Sequence, residues 1–120
     1  MREPEVESRM RKYLEVHGYR VTPRMGQHGV DIVATKQGRT LAVEVKGDRP
    51  GHTSSPGTID VDAKTLLGQI VTRWGEQIAE DYAIAIRPVH SHLIQKAMPA
   101  LKHLRVKVFL VEDGQVSELD

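Results

Sequence analysis

Apolar residues recur along this chain in two periods, and each change of period marks an element. Val6, Met10, Tyr13, Leu14 and His17 return at helical spacing and define one face of a first helix. Pro4 suits its first turn, Glu3, Glu5 and Glu7 lie near its positive end, and Gly18 is placed to close it. Tyr19 to Thr22 predicts a short strand stopped by Pro23. Alternation of period two then runs through Val30 to Lys36 and Arg39 to Lys46, with a turn signal at Gln37-Gly38 between them. Gly47 to Thr58 is rich in Gly, Pro, Ser and Thr and reads as a mobile loop. Ile59 to about Glu80 predicts a long helix burying Ala63, Leu66, Leu67, Ile70, Val71, Trp74 and Ile78, with Asp60 or Asp62 as its cap. Asp81 to Arg87 is a further strand, ended by Pro88. Ser91 to about Leu101 is an amphipathic helix that Pro99 should kink or divide. Leu104 to Glu112 is the last clear strand, and Asp113-Gly114 turns into Gln115 to Glu118. The order α-β-β-β-α-β-α-β implies an α/β fold, a mixed sheet with helices on its faces.

The hairpin carries the first chemical signal. With Gln37-Gly38 as a two-residue loop, Lys36 faces Arg39, Thr35 faces Thr40, Ala34 faces Leu41 and Ile32 faces Val43. One step further sets Asp31 opposite Glu44. Facing residues of an antiparallel pair have Cβ atoms roughly 5 Å apart on one face of the sheet. Two carboxylates at that distance repel unless a cation lies between them. Lys46 is two residues beyond Glu44 and projects from the same face. The plain alternative is a solvated hairpin face. The apolar neighbours Val30, Ile32, Val33, Val43 and Val45 argue against it, and small Ala42 leaves room for a ligand.

Composition narrows the classes. The 120 residues are about one domain's worth and contain no cysteine, which excludes disulfides, zinc–thiolate sites and thiol catalysis and is consistent with a cytosolic protein. No apolar run approaches the roughly 18 residues of a membrane span, and the charged start Met1-Arg2-Glu3-Pro4-Glu5 is unlike a signal peptide. The formal net charge of +1 does not by itself point to nucleic acid, but an acidic cluster would offset basic residues elsewhere. Nothing in the sequence calls for an organic cofactor. Five aromatic residues are too few for a broad base-stacking platform.

Other polar residues carry weaker signals. Glu7 either reaches from the rim of the first helix to the end of the sheet or simply complements the helix dipole. Gln69 and Arg73, at i and i+4, are placed to orient a water and to hold a phosphate; a boundary amide and a surface guanidinium are the plainer reading. Lys36 and Arg39 at the hairpin tip, and Arg49 and His52 in the following loop, are candidates for DNA phosphates as much as for ordinary solvation. The six histidines form no convincing ligand set, and His28 is only a neighbour of the hairpin.

Gly29-Val30-Asp31 followed by Val43-Glu44-Val45-Lys46-Gly47 resembles the PD-(D/E)XK nuclease signature, with Val30 at the first position of the "PD" pair. The chain is most similar to archaeal Holliday junction resolvases and Mrr-like endonuclease domains. Leu14-Glu15-Val16-His17-Gly18-Tyr19 resembles the ending of the resolvases' first helix, which places that family's helical acid on Glu7. Leu67-Gly68-Gln69-Ile70 is similar to the helix motif of Mrr-like and RecB-like members. The likeness covers roughly the first 75 residues. It implies a restriction-endonuclease-like α-β-β-β-α-β core and a metal-dependent DNA endonuclease, and it identifies the chemistry much better than the substrate. It further implies Mg²⁺ or Mn²⁺ held by Asp31, Glu44, the Val45 carbonyl and Glu7, with Lys46 acting on the attacking water. Products with 5′-phosphate and 3′-hydroxyl ends, and a homodimer that cuts two strands, complete the expectation. An Mrr-like nuclease on modified or foreign duplex, a non-cleaving DNA-binding or assembly module, and a purely structural domain are the alternatives.

Overall fold

The computed structural model describes residues 1–23, 29–50 and 55–120. Its elements are α1 (Glu3–Val16), β1 (Arg20–Val21), β2 (Ile32–Lys36), β3 (Arg39–Val45), α2 (Pro56–Glu76), β4 (Asp81–Ile86), α3 (Ser91–His103), β5 (Val106–Val111) and β6 (Val116–Leu119). A single 3₁₀ turn, Pro88–His90, leads into α3. The six strands form one sheet in the order β1-β2-β3-β4-β5-β6. β3, β4 and β5 run parallel, and β1–β2, β2–β3 and β5–β6 are antiparallel. This is the mixed α/β architecture expected from the pattern, including the α-β-β-β-α-β order. Among the described residues, no helix is long and apolar enough to cross a membrane.

Side-chain alternation divides the core into two layers. Val6, Met10 and Leu14 of α1 pack on Ile32, Ala34, Leu41, Val43, Ala83, Ala85 and Phe109. Ala63, Leu66 and Ile70 of α2 and Ile94, Met98 and Leu101 of α3 pack on Ala42, Tyr82, Ile84, Ile86 and Val108 of the other face. Strand β4 is buried on both sides, as a central parallel strand must be. Its alanines lie beneath α1 and its larger residues beneath α2 and α3.

The hairpin register is the one read from the sequence: Ile32↔Val43, Ala34↔Leu41, Thr35↔Thr40 and Lys36↔Arg39. Gln37 and Gly38 both have positive φ, 52° and 77°, as a type I′ loop requires. Several details differ from expectation. Helix α2 begins at Pro56 rather than Ile59, because Ser55 and Thr58 form a capping box; neither Asp60 nor Asp62 caps it. It ends at Glu76, where Gln77 turns left-handed with φ 55°. Pro99 does not divide α3: it lies on the exposed side, so the carbonyl it leaves without a helical partner, that of exposed Gln95, faces water.

Candidate functional site

The site lies where the carboxyl ends of the parallel strands meet the N-terminus of α1 and the inner side of α2, a position where open α/β sheets bind ligands. Strand β2 starts one residue after Asp31. There the ladder is replaced by the Asp31 side chain, whose Oδ2 accepts the N–H of Val45 at 2.8 Å. This bond fixes the carboxylate over the end of β3. Glu44 is only 2% exposed, a burial rare for an acid. Among the described residues its Oε1 is buried with no hydrogen-bond partner, and the nearest cation is Nε of Arg73 at 3.6 Å. The Glu44 carboxyl is pushed up to about 7, first by burial and then by the charge of Asp31, while Arg73 and the backbone N–H of Asp31 draw it back. Asp31 is raised too, by burial and by Glu7, with the Val45 N–H opposing. Two neighbouring acids, both raised first by burial, one with an oxygen unpartnered among the described residues, stand where a cation would be favoured.

Lys46 follows on the same edge, half-buried. Its Nζ lies 3.8 Å from Glu3 and 3.9 Å from Asp62, so the ammonium is held between α1 and α2. Glu7 is within electrostatic reach of Asp31 and Glu3. Arg11 positions it: Nε bonds Glu7 at 3.1 Å, and Nη2 donates to the Asp31 carbonyl at 3.1 Å. The structure thus brings Asp31, Glu44, Val45, Lys46, Glu7 and Arg73 together. Gln69 stands one turn before Arg73 on α2 and is exposed, with no side-chain hydrogen bond among the described residues. Also among the described residues, no three His, Cys, Asp or Glu side chains form a ready-made metal cage.

The remaining basic candidates serve other partners. Arg39 makes a two-pronged bond to Asp81 at 3.0 Å in each arm. Lys36 donates to the His17 carbonyl at 2.8 Å and lies 5.3 Å over the Tyr19 ring. Both are at the hairpin tip, five residues from the acids, or roughly 17 Å along the strand. Arg49 grips Asp62 at 2.7 and 2.8 Å. His52 and His28 lie outside the described residues. The segment read as a mobile loop is anchored at its start: Asp48 accepts from Arg87 Nε at 3.0 Å, and its N–H donates to the Met1 carbonyl at 2.8 Å.

Sequence reading missed Glu3, Asp62, Asp48 and Arg87 as neighbours of the site. Glu3 looked like a dipole-compensating acid and Asp62 like a cap, and only the tertiary fold joins them to Lys46. It also missed the role of Gly47. A Cβ there would stand 2.2 Å from the Glu3 nitrogen and 2.6 Å from the Arg2 carbonyl carbon, both backbone atoms that cannot yield. Gly47 lets α1 approach the end of β3. Gly47→Ala is expected to destabilise the fold by about 1–3 kcal/mol, as overpacking does, and to separate Glu3 from Lys46. Urea unfolding with an unchanged midpoint would show that the close approach is dispensable.

The fold and site define a mixed α/β protein with a cluster of acids and a lysine at one sheet end. No family model matches the sequence, and no curated protein does. Solved structures share the fold. An XisH family protein from Nostoc punctiforme PCC 73102 superposes with a TM-score of 0.56 at 20% identity, covering 96% of this chain and 99% of its own. A FdxN element excision controlling factor protein from Anabaena variabilis gives 0.60 at 21% identity, covering 97% of each chain. At such identities the likeness is one of fold.

Proposed function

We propose that the chain is a divalent-metal-dependent DNA endonuclease with a restriction-endonuclease-like core. The observation that carries this reading is the buried Glu44 carboxylate, one oxygen unpartnered, placed beside Asp31 with Lys46 on the same edge. Those donors fit Mg²⁺ or Mn²⁺: they are hard oxygens, and a cation among them would offset the burial and neighbouring acidic charge that lift both acids. Asp31 and Glu44 would hold it, with the Val45 carbonyl and Glu7 completing the set. When bound, it supplies charge neutralisation at the phosphodiester and a more acidic water.

The chain's own residues do the rest. Asp31, fixed by the Val45 N–H, and Glu44, fixed by burial, form a rigid acidic wall. Lys46 is near enough to turn to a phosphate or an attacking water, and its hold by Glu3 and Asp62 at nearly 4 Å is loose enough to release it. Arg73 and Gln69 offer donors to phosphate from α2. DNA is the partner, and a homodimer is the form suited to cutting opposed strands.

A second reading is favoured by the fold neighbours, one of which is described as an excision controlling factor. In it the chain binds DNA or an assembly involved in excision without cutting. A cleavage panel separates the two: four-way junctions, flaps, plain duplex and methylated duplex, each with Mg²⁺, for the wild type and Asp31→Ala. Cleavage by the wild type that Asp31→Ala loses supports the nuclease, and the substrate cut distinguishes a resolvase from an Mrr-like enzyme. Binding without cleavage across the whole panel supports the non-cleaving module.

A further inference from the structure

Arg73 and Glu44 meet in an unusual way. Nε of Arg73 stands 3.6 Å from Oε1 of Glu44, close enough to balance charge and too far for a hydrogen bond. Both atoms are buried, and neither has a hydrogen-bond partner among the described residues. The Arg49–Asp62 pair, by contrast, closes to 2.7 and 2.8 Å in a fork. Arg73 instead directs Nη1 to Glu76 at 3.1 Å, one turn along α2 and nearer solvent. Its side chain is 19% exposed, against 3% for Glu44, so it has a way out. A Cβ added at Gly29 would stand 3.8 Å from Nη2, in ordinary contact with the guanidinium.

We propose that Arg73 is a built-in counter-cation, which neutralises Glu44 in the metal-free protein and yields that carboxylate to a divalent ion by swinging outward toward a DNA phosphate. The inference rests on the nuclease reading and deepens it. Glu76 is the pivot that holds the guanidinium near the surface after the exchange. Ion entry and Arg73 compete for one oxygen, so metal binding is weak in the free protein. It tightens when a phosphate is present to receive the arginine, and the two ligands are coupled reciprocally. Arg73 is thus a positioning residue that ties metal loading to substrate.

The test is calorimetric titration of Mn²⁺ into the wild type, Arg73→Ala, Arg73→Gln, Arg73→Lys and Glu44→Gln at pH 8, with and without an uncleavable phosphorothioate duplex. Removing a like charge a few ångströms from the ion is expected to tighten Mn²⁺ binding by about tenfold or more in Arg73→Ala and Arg73→Gln without DNA. Arg73→Lys keeps the charge and stays near the wild type. The duplex is expected to strengthen Mn²⁺ binding in the wild type and to do so far less in Arg73→Gln. Arg73→Gln keeps polar bulk and carries the comparison if Arg73→Ala does not fold. If the wild type binds Mn²⁺ through Glu44 and both neutral variants bind equally or more weakly, the counter-cation is overturned while the nuclease reading stands. Binding seen only in the neutral variants upholds it. No Mn²⁺ binding in any variant overturns both.

Discussion

Under the proposed nuclease function, Glu44→Gln is expected to abolish Mg²⁺-dependent DNA cleavage and, in the same protein, to raise its stability at pH 8. Loss of a ligand carboxylate removes several kcal/mol of transition-state stabilisation, so cleavage should fall about 10³-fold or more. The stability gain follows from linkage. The Glu44 carboxyl sits at about 7 in the folded protein against 4.5 as its ordinary value, because burial and then Asp31 oppose its charge. A group whose folded value is raised contributes fully below the unfolded value, and that contribution is lost as pH rises through the folded one. Metal-free wild type should therefore lose stability between about pH 4.5 and 7, by a few kcal/mol at most for a shift of this size. The neutral amide of Glu44→Gln escapes that loss, so its thermal midpoint should exceed the wild type's at pH 8 and match it near pH 5. Mn²⁺ should raise the wild-type midpoint at pH 8 and leave Glu44→Gln unmoved. Retained cleavage in the variant would end the assignment of this site, and a midpoint lower than the wild type's at pH 8 would show that Glu44 is kept for structure.

This part of the molecule was legible from sequence because its acids fall in a hairpin of defined register. The acids break the apolar alternation of two strands whose register a two-residue turn defines. Gln37-Gly38 left one register open, and the side-chain period of two then put Asp31 and Glu44 together. Local signals of that kind also located every helix. They failed where composition and geometry disagree: Ser55-Pro56-Gly57-Thr58 has the residues of a loop and forms the first turn of α2 through its capping box. They failed more broadly for ion pairs between distant residues. Arg39 meets Asp81 across 42 positions and Arg87 meets Asp48 across 39. A basic residue read in isolation looks available to phosphate, and nothing in its neighbours announces the acid that the fold delivers. The depth at which Glu44 lies was hidden for the same reason, because it depends on α2 covering the end of β3.

The largest loss of stability is expected from Arg87→Ala. This guanidinium is 12% exposed and joins three parts of the chain behind the site: Nε donates to Asp48 at 3.0 Å, Nη1 to the Val111 carbonyl at 2.7 Å, and Nη2 lies 3.5 Å from Asp113. Asp48 already has a buried Oδ1 without a partner. Burial works to raise the Asp48 carboxyl, and bonds from the Met1 amine and Arg87 outweigh it, leaving it below its ordinary value. Breaking a buried pair by deleting one partner costs about 3–5 kcal/mol, because the other charge stays behind in a poorly solvated place. Partial exposure of Asp48 moves the expectation to the lower end of that range. The sign with pH is opposite to that of Glu44. A depressed acid stabilises above its unfolded value, and the contribution is lost as pH falls through the folded one. The gap between wild type and Arg87→Ala should therefore be wide at pH 7 and narrow below about pH 4, in urea unfolding at each pH. Because Asp48 lies two residues past Lys46, the variant should also lose whatever cleavage the proposed nuclease function predicts, by displacing the lysine, an effect that Arg87→Lys restores only in part since an ammonium cannot serve three acceptors in a fork. A gap that stays constant from pH 3 to 7 would assign Arg87 to packing alone.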